Sequence, residues 1–139
     1  MDTITTDFDQ TLALHTPQQV TAQGVIASFV TKPNEKLINH LKNLKEKGKK
    51  IYVVTFRPKN DIVDIKKFLK ENDLQVNGIV ATDGKPKVAA IYRLKSIQHF
   101  DDDVETLVQI SKFNKNTKPV LIPNEQNIKD PLAKKFIHF

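Results

Sequence analysis

Thr3-Ile4-Thr5-Thr6-Asp7-Phe8-Asp9-Gln10-Thr11-Leu12 carries a short β-type run directly into two carboxylates spaced two residues apart. In an extended segment residues i and i+2 share a face, so the two carboxylates would repel one another unless a cation sits between them or the chain turns at once. Asp7 and Asp9 therefore point to a divalent metal and mark the place to look for chemistry. Alone, the pattern Asp-x-Asp-x-Thr is weakly specific, because a chain with 27% charged residues places two aspartates near a strand end by chance.

Outward from that stretch, β-type runs alternate with helical periods, which predicts an α/β architecture with a largely parallel sheet. Strands are expected at Ile4 to Thr6, Lys50 to Thr55, Gly78 to Ala81, Ser96 to Phe100 and Pro119 to Ile122. A first helix is expected to open near Pro33 as a first-turn proline, to gather Leu37, Ile38, Leu41 and Leu44 on one face, and to stop at Gly48. A second, from about Asn60 to Asn72, brings Ile62, Ile65, Phe68 and Leu69 together after the restricted loop at Pro58. Shorter helices are expected at Val88 to Leu94 and Val104 to Ile110, and one more in the tail from Asn124 to Phe139. Residues 13 to 32 show no clean period and follow the acidic pair directly, so a loop or small hairpin is expected to flank the site.

A length of 139 residues suits one domain over 1–139. The charge of +6 comes mostly from lysines, among them Lys42, Lys45, Lys47, Lys49, Lys50, Lys66, Lys67 and Lys70. Such a field attracts phosphate esters, nucleotides or nucleic acid. The same lysines also fit the solvated faces of two helices, since no Arg-rich or aromatic-interleaved patch accompanies them. The absence of Cys excludes disulfides and thiolate chemistry and fits a reducing interior. The N-terminus lacks a basic and then apolar leader, and no window approaches the ~18 apolar residues of a membrane span, so the chain is expected to be soluble and cytoplasmic, with no membrane partner.

Loops at the carboxyl ends of parallel strands converge on one edge, where ligands bind. Here they carry Asp7 and Asp9, then Thr55-Phe56-Arg57-Pro58, then Asp83-Gly84-Lys85-Pro86-Lys87, then Asp101-Asp102-Asp103. The set resembles the haloacid dehalogenase-like superfamily of phosphotransferases in four motifs and their order. Asp7-Phe8-Asp9-Gln10-Thr11 matches the first; Ile51 to Thr55, followed by Arg57-Pro58, the second; Lys87, with Lys85 as the alternative, the third; and Phe100-Asp101-Asp102 the fourth. The resemblance spans roughly Thr3 to Ile110. Two positions depart from the pattern: Gln10 stands where the superfamily usually has Gly, and Asp103 turns the last motif into a triplet, in which the apolar run ending at Phe100 favours Asp101 and Asp102.

The resemblance implies a three-layer Rossmann-like fold with a mostly parallel central sheet and no large cap domain, and a Mg²⁺-dependent phosphatase. In that reading Asp7 is the nucleophile that forms an aspartyl-phosphate, and Asp9 is the general acid and base. Asp7, the backbone carbonyl of Asp9, and Asp102 would hold Mg²⁺, with Asp101 behind them. Thr55 and Lys87 would bind a phosphoryl oxygen, Lys87 would also restrain Asp7, and Arg57 and Thr11 would lie on the substrate side. Each residue alone has an ordinary explanation: Thr55 as a strand residue, Lys87 as a solvated helix start, Asp101 to Asp103 as a helix N-terminus. Only the joint pattern overturns these. His15, His40, His99 and His138 share no spacing that suggests a metal site and are expected to be structural, with His15 the one that follows the acidic motif closely.

With no room for a cap, the site should be open, taking small phosphate esters or a macromolecule that serves as its own lid. The positive field favours nucleotides or nucleic-acid ends over sugar phosphates. A two-component receiver domain would place its phosphorylated Asp after the third strand and its Thr and Lys in another order. A non-catalytic binding module of the same fold, using its basic surface for nucleic acid or a protein partner, is the alternative from another class; intact Asp9 and Lys87 argue against it.

Overall fold

The computed structural model describes residues 2–139, and only the backbone of Ile26 and Ala27. β1 (Thr3–Thr6) is buried along its whole length and is followed by a hairpin, β2 (Ala13–Val20) and β3 (Ile26–Pro33). Then come α1 (Glu35–Glu46), β4 (Lys50–Thr55), α2 (Ile62–Glu71), β5 (Gly78–Ala81), α3 (Val88–Arg93), β6 (Ser96–Asp101), α4 (Val104–Phe113), β7 (Lys118–Leu121) and β8 (Ile137–His138). The main sheet has the order β5-β4-β1-β6-β7-β8, and all its pairings are parallel. The chain moves outward from β1 to β4 and β5, then crosses to β6 on the other flank. That reversal puts the ends of β1, β4 and β6 side by side, where an open α/β sheet forms its crevice.

Alternation along the strands sorts the core into two layers. Ile4, Ile51, Val53, Phe100 and Val120 face α1 and α2 through Leu37, Ile38, Leu41, Ile65 and Leu69. Val54 and Leu121 face α3 and α4 through Ala90, Ile91, Leu107 and Ile110. Two-sided burial is why β4 reads as a near-continuous apolar run, Ile51-Tyr52-Val53-Val54. No helix among the described residues is long and apolar enough to cross a membrane.

Three expectations need correction. Pro33 does not open α1: it ends β3, paired with Ala13, and Asn34 caps the helix by accepting from the Leu37 amide at 3.3 Å. The second helix begins as a 3₁₀ turn, Lys59–Asp61, because Pro58 holds the entering chain extended. The tail forms two 3₁₀ turns, Asn127–Lys129 and Pro131–Lys135, and then β8, instead of a helix. Pro123 and Pro131 remove backbone donors there, and the Asn124 and Asn127 side chains accept from each other's backbone amides in place of a helical ladder.

Candidate active site

The loop after β1 turns at once, as two adjacent carboxylates demand. The Asp7 amide donates to the Phe100 carbonyl at 2.8 Å, which ties the end of β1 to the end of β6. The Phe8 carbonyl then accepts from Leu12 and Ala13 at 2.9 and 3.1 Å, closing a tight bend. Its apex is Gln10, with φ 59°, a left-handed conformation that costs a non-glycine residue about 1 kcal/mol. The bend sends Asp9 away from Asp7 and brings Thr11 back beneath it. Thr11 is fully buried and its hydroxyl donates to Asp7 Oδ2 at 3.0 Å, so it braces Asp7 and is closed to a substrate, contrary to its expected place on the substrate side.

Behind Asp7 lies a buried polar chain. The Lys87 ammonium, fully buried, donates to Asp7 Oδ1 at 2.8 Å and to Asp101 Oδ2 at 2.9 Å. Lys85 instead sits on the exposed loop, where its carbonyl accepts from the Thr82 hydroxyl, so Lys87 is the lysine at the site. Asp101 Oδ2 also meets His99 Nε2 at 2.8 Å, and Asp101 Oδ1 accepts from the Asp103 amide at 3.0 Å. His99 Nδ1 lies 2.8 Å from the Thr5 hydroxyl. Burial pushes His99 toward the neutral form, so its proton sits on Nε2, facing a carboxylate that can only accept, and Thr5 donates to Nδ1.

The charges follow from this packing. Burial, reinforced by Asp101, raises Asp7 well above the usual carboxylate range despite Lys87. Burial also raises Asp102. Burial acts on Asp101 in the same sense, but Lys87 and His99 outweigh it and hold that carboxyl below its ordinary value. Lys87 is likewise raised, because Asp101 and Asp7 overcome its burial. Asp103 accepts from the Thr106 amide and hydroxyl as the N-cap of α4, which removes it from the acidic pair.

Asp9 is held from two sides. Arg57 donates through Nε to Oδ2 at 2.8 Å and through a terminal nitrogen to Oδ1 at 2.7 Å, while His15 Nε2 lies 2.8 Å from Oδ1. Burial would raise Asp9, yet Arg57 and His15 together lower it. Arg57, expected to reach toward a substrate, thus rests on Asp9 and stacks over Phe8 at 5.2 Å. Thr55, also buried, accepts from the Arg57 amide at 3.2 Å and keeps its hydroxyl proton for another partner. Asp7, Asp9, Gln10, Thr55, Phe56 and Asp101 to Asp103 line a cavity of about 350 Å³.

Oxygens of Asp7, Asp101 and Asp102 lie within 4.8 Å of one another. An all-carboxylate donor set with a single ammonium beside it retains net negative charge and suits a hard cation such as Mg²⁺. Asp101 is fully buried and carries three donors on its two oxygens, against one on each oxygen of Asp7, which makes Asp7 and Asp102 the candidate direct ligands. The Asp9 carboxylate is likewise engaged, so its backbone carbonyl is its candidate ligand atom. Two histidines expected to be structural, His15 and His99, both bind site carboxylates. His99 has a local signal, since it stands two residues before Asp101 on β6 and shares its face, whereas His15 meets Asp9 only through the bend that leads from β1 into β2.

Neither a family model nor a curated protein matches this sequence. Among solved structures, a Vibrio cholerae protein provisionally identified as a 3-deoxy-D-manno-octulosonate 8-phosphate phosphatase superposes with a TM-score of 0.59 at 17% identity, over 99% of this chain and 73% of that one. A hypothetical protein from Xanthomonas campestris superposes with a TM-score of 0.59 at 19% identity, over 98% of this chain and 70% of that one. The likeness is one of fold: the chain has the three-layer, Rossmann-like architecture of haloacid dehalogenase-like proteins.

Proposed function

We propose that this protein is a Mg²⁺-dependent phosphatase that cleaves phosphate monoesters through an aspartyl-phosphate on Asp7. The observation that carries the reading is the setting of Asp7: one oxygen on the buried Lys87 ammonium, the other on Thr11, at the floor of a cavity that Asp9 also lines. A carboxylate so restrained presents a fixed nucleophile. The Vibrio cholerae neighbour supports it, since the compound in its name is a phosphate monoester.

Asp7 attacks phosphorus and the ester P–O bond breaks, while Asp9 delivers its proton to the leaving oxygen. Asp9 then takes a proton from water as that water attacks the aspartyl-phosphate, which returns Asp7 and inorganic phosphate. General acid–base work of this kind typically contributes ~10² to 10⁴ in rate. A phosphate dianion competes with Asp9 for Arg57, which frees the carboxylate to take up the proton it later gives. The Thr55 hydroxyl and Lys87 ammonium donate to the transferring group. Mg²⁺ held by Asp7, Asp102 and the Asp9 carbonyl would neutralise phosphoryl charge and let an anionic nucleophile approach. With a charge of +6, phosphorylated nucleotides or nucleic-acid ends are the favoured substrates.

The test is phosphate release from 4-nitrophenyl phosphate with and without Mg²⁺, for the native chain and Asp7→Asn. Release that requires both the metal and Asp7 is expected. Release that survives Asp7→Asn would remove Asp7 as nucleophile, and none from the native chain on this or any nucleotide would favour a binding module.

A further inference from the structure

Asp9 is gripped by two elements of different origin. Arg57 belongs to the loop after β4, whereas His15 projects from β2 of the hairpin. A carboxylate only accepts, so His15 Nε2 is the donor in its 2.8 Å contact with Asp9 Oδ1. The other ring nitrogen, Nδ1, lies 2.8 Å from the hydroxyl of Thr31, the residue paired with His15 across the hairpin. The ring is thereby fixed at both ends. Its backbone is fixed as well: Gln10 Nε2 donates to the His15 carbonyl at 3.1 Å, and the His15 backbone amide donates to Gln10 Oε1 at 3.1 Å. Gln10 is the apex residue in the left-handed conformation, where glycine would fit without strain but could form neither bond. Both hydrogen bonds of this strained side chain are spent on His15.

We infer that His15 is a positioning residue for Asp9, set in place by Gln10 and Thr31, so that the hairpin takes part in catalysis. The inference rests on the phosphatase reading. Arg57 cannot serve this purpose throughout, because it is the group an incoming phosphate draws away. Once it leaves, Oδ2 loses its Arg57 Nε partner, while Oδ1 stays on His15. The carboxylate then keeps one orientation, with Oδ2 turned to the leaving oxygen. Without His15 the carboxyl swings freely after Arg57 departs, and its proton is delivered from a spread of positions.

The loss should depend on the leaving group. An alkoxide must be protonated as it departs, whereas 4-nitrophenolate needs little help. The value of kcat/KM covers the steps up to aspartyl-phosphate formation, in which the leaving oxygen departs, so comparing β-glycerophosphate with 4-nitrophenyl phosphate isolates the proton delivery. His15→Ala is expected to lower kcat/KM for the alkyl ester about tenfold more than for the aryl ester, within the ~10²-fold that misplacement of a reacting group can cost. Asp9→Asn should show the same bias in larger measure. His15→Gln, which keeps a donor at the same reach, should recover most of the loss; Gln10→Gly should reproduce part of it and add little to His15→Ala. The thermal midpoint of His15→Ala should stay close to native, because its contacts are partly exposed. Equal losses on both esters, or no recovery with Gln, would overturn the positioning role while leaving the phosphatase reading intact. A native chain that hydrolyses neither these esters nor any nucleotide would overturn both.

Discussion

Lys87→Met would remove an ammonium that is fully buried, 2.8 Å from Asp7 and 2.9 Å from Asp101, while keeping most of the side chain's volume. At those separations and an effective dielectric near 20, each contact supplies about 6 kcal/mol of gross attraction. Desolvating the three ions costs several kcal/mol each, so most of that attraction is cancelled in the native protein. What the substitution leaves behind is not cancelled: carboxylate oxygens within 4.8 Å of one another repel by about 3.5 kcal/mol per pair in the same dielectric. Removing one member of a buried pair typically costs ~3–5 kcal/mol, which at about 4 °C per kcal/mol is a fall in Tm of roughly 12–20 °C. The assay is thermal and urea unfolding with a chelator present, at pH 7 and pH 5. In the variant Asp7, already raised in the native protein, rises further above its unfolded value. A carboxyl raised on folding binds more protons folded than unfolded, so stability is lost as pH rises between the two values. The stability that the native protein draws from the lowered Asp101 is given up only below the ordinary carboxylate value and is intact at pH 5. The gap between native and variant should therefore narrow at pH 5. Adding Asp101→Asn should recover about 2 kcal/mol, the coupling expected of groups in contact. A variant within about 1 kcal/mol of native at pH 7, or a gap that widens on acidification, would refute the reasoning.

Mg²⁺ at a hundredfold its Kd should stabilise the native chain by about 2.7 kcal/mol, read as a shift in Tm that Asp7→Asn and Asp102→Asn abolish. In chelator, Asp7→Asn should melt at or above the native midpoint, since it removes a carboxyl whose charged form is disfavoured by burial. Arg57→Leu should destabilise at pH 7 and lose that effect progressively on acidification below the ordinary carboxylate value, because Asp9, lowered by Arg57 and His15, gives up its stability as pH falls through its folded value. Phe139→Ala removes ring contacts with Phe100 at 5.5 Å and His40 at 5.2 Å, so the urea midpoint should fall by the equivalent of about 1–2 kcal/mol at unchanged slope.

β4 is legible because its apolar run, Ile51 to Val54, feeds both core layers, and β5 (Gly78–Ala81), a partly buried edge strand, is legible from Gly78 and the apolar run that follows it. The hairpin is not, and the reason is physical. Ala-Leu-His-Thr-Pro-Gln-Gln-Val in β2 is mostly exposed, so no core selects an alternating pattern, and its pairing with β3 alone holds it as a strand. Pro33 suits both a first helical turn and a strand end, and only the distant Ala13 decides between them. The His99–Thr5 contact is opaque for the same reason, since the register of β1 on β6 brings the two together, whereas the His99–Asp101 contact follows from alternation along β6.

A related distinction runs through the site. Asp7, Asp9, Thr55, Lys87, Asp101 and Asp102 stand at or just beyond the ends of strands, or at a helix start, so their approach to one edge is a property of the topology, and a reader of the chain can predict it from element order. Gln10, His15 and Thr31 act beside those residues through hydrogen bonds set by how one segment folds onto another, while His99 braces Asp101 from two residues away on the same strand. Supporting contacts of this kind can be built in more than one way, because any donor placed near Asp9 Oδ1 meets the same need. They are consequently the positions at which the fold leaves the most freedom of residue choice. Substitutions among them should scale the rate and its dependence on the leaving group, whereas those at Asp7 or Lys87 should abolish it.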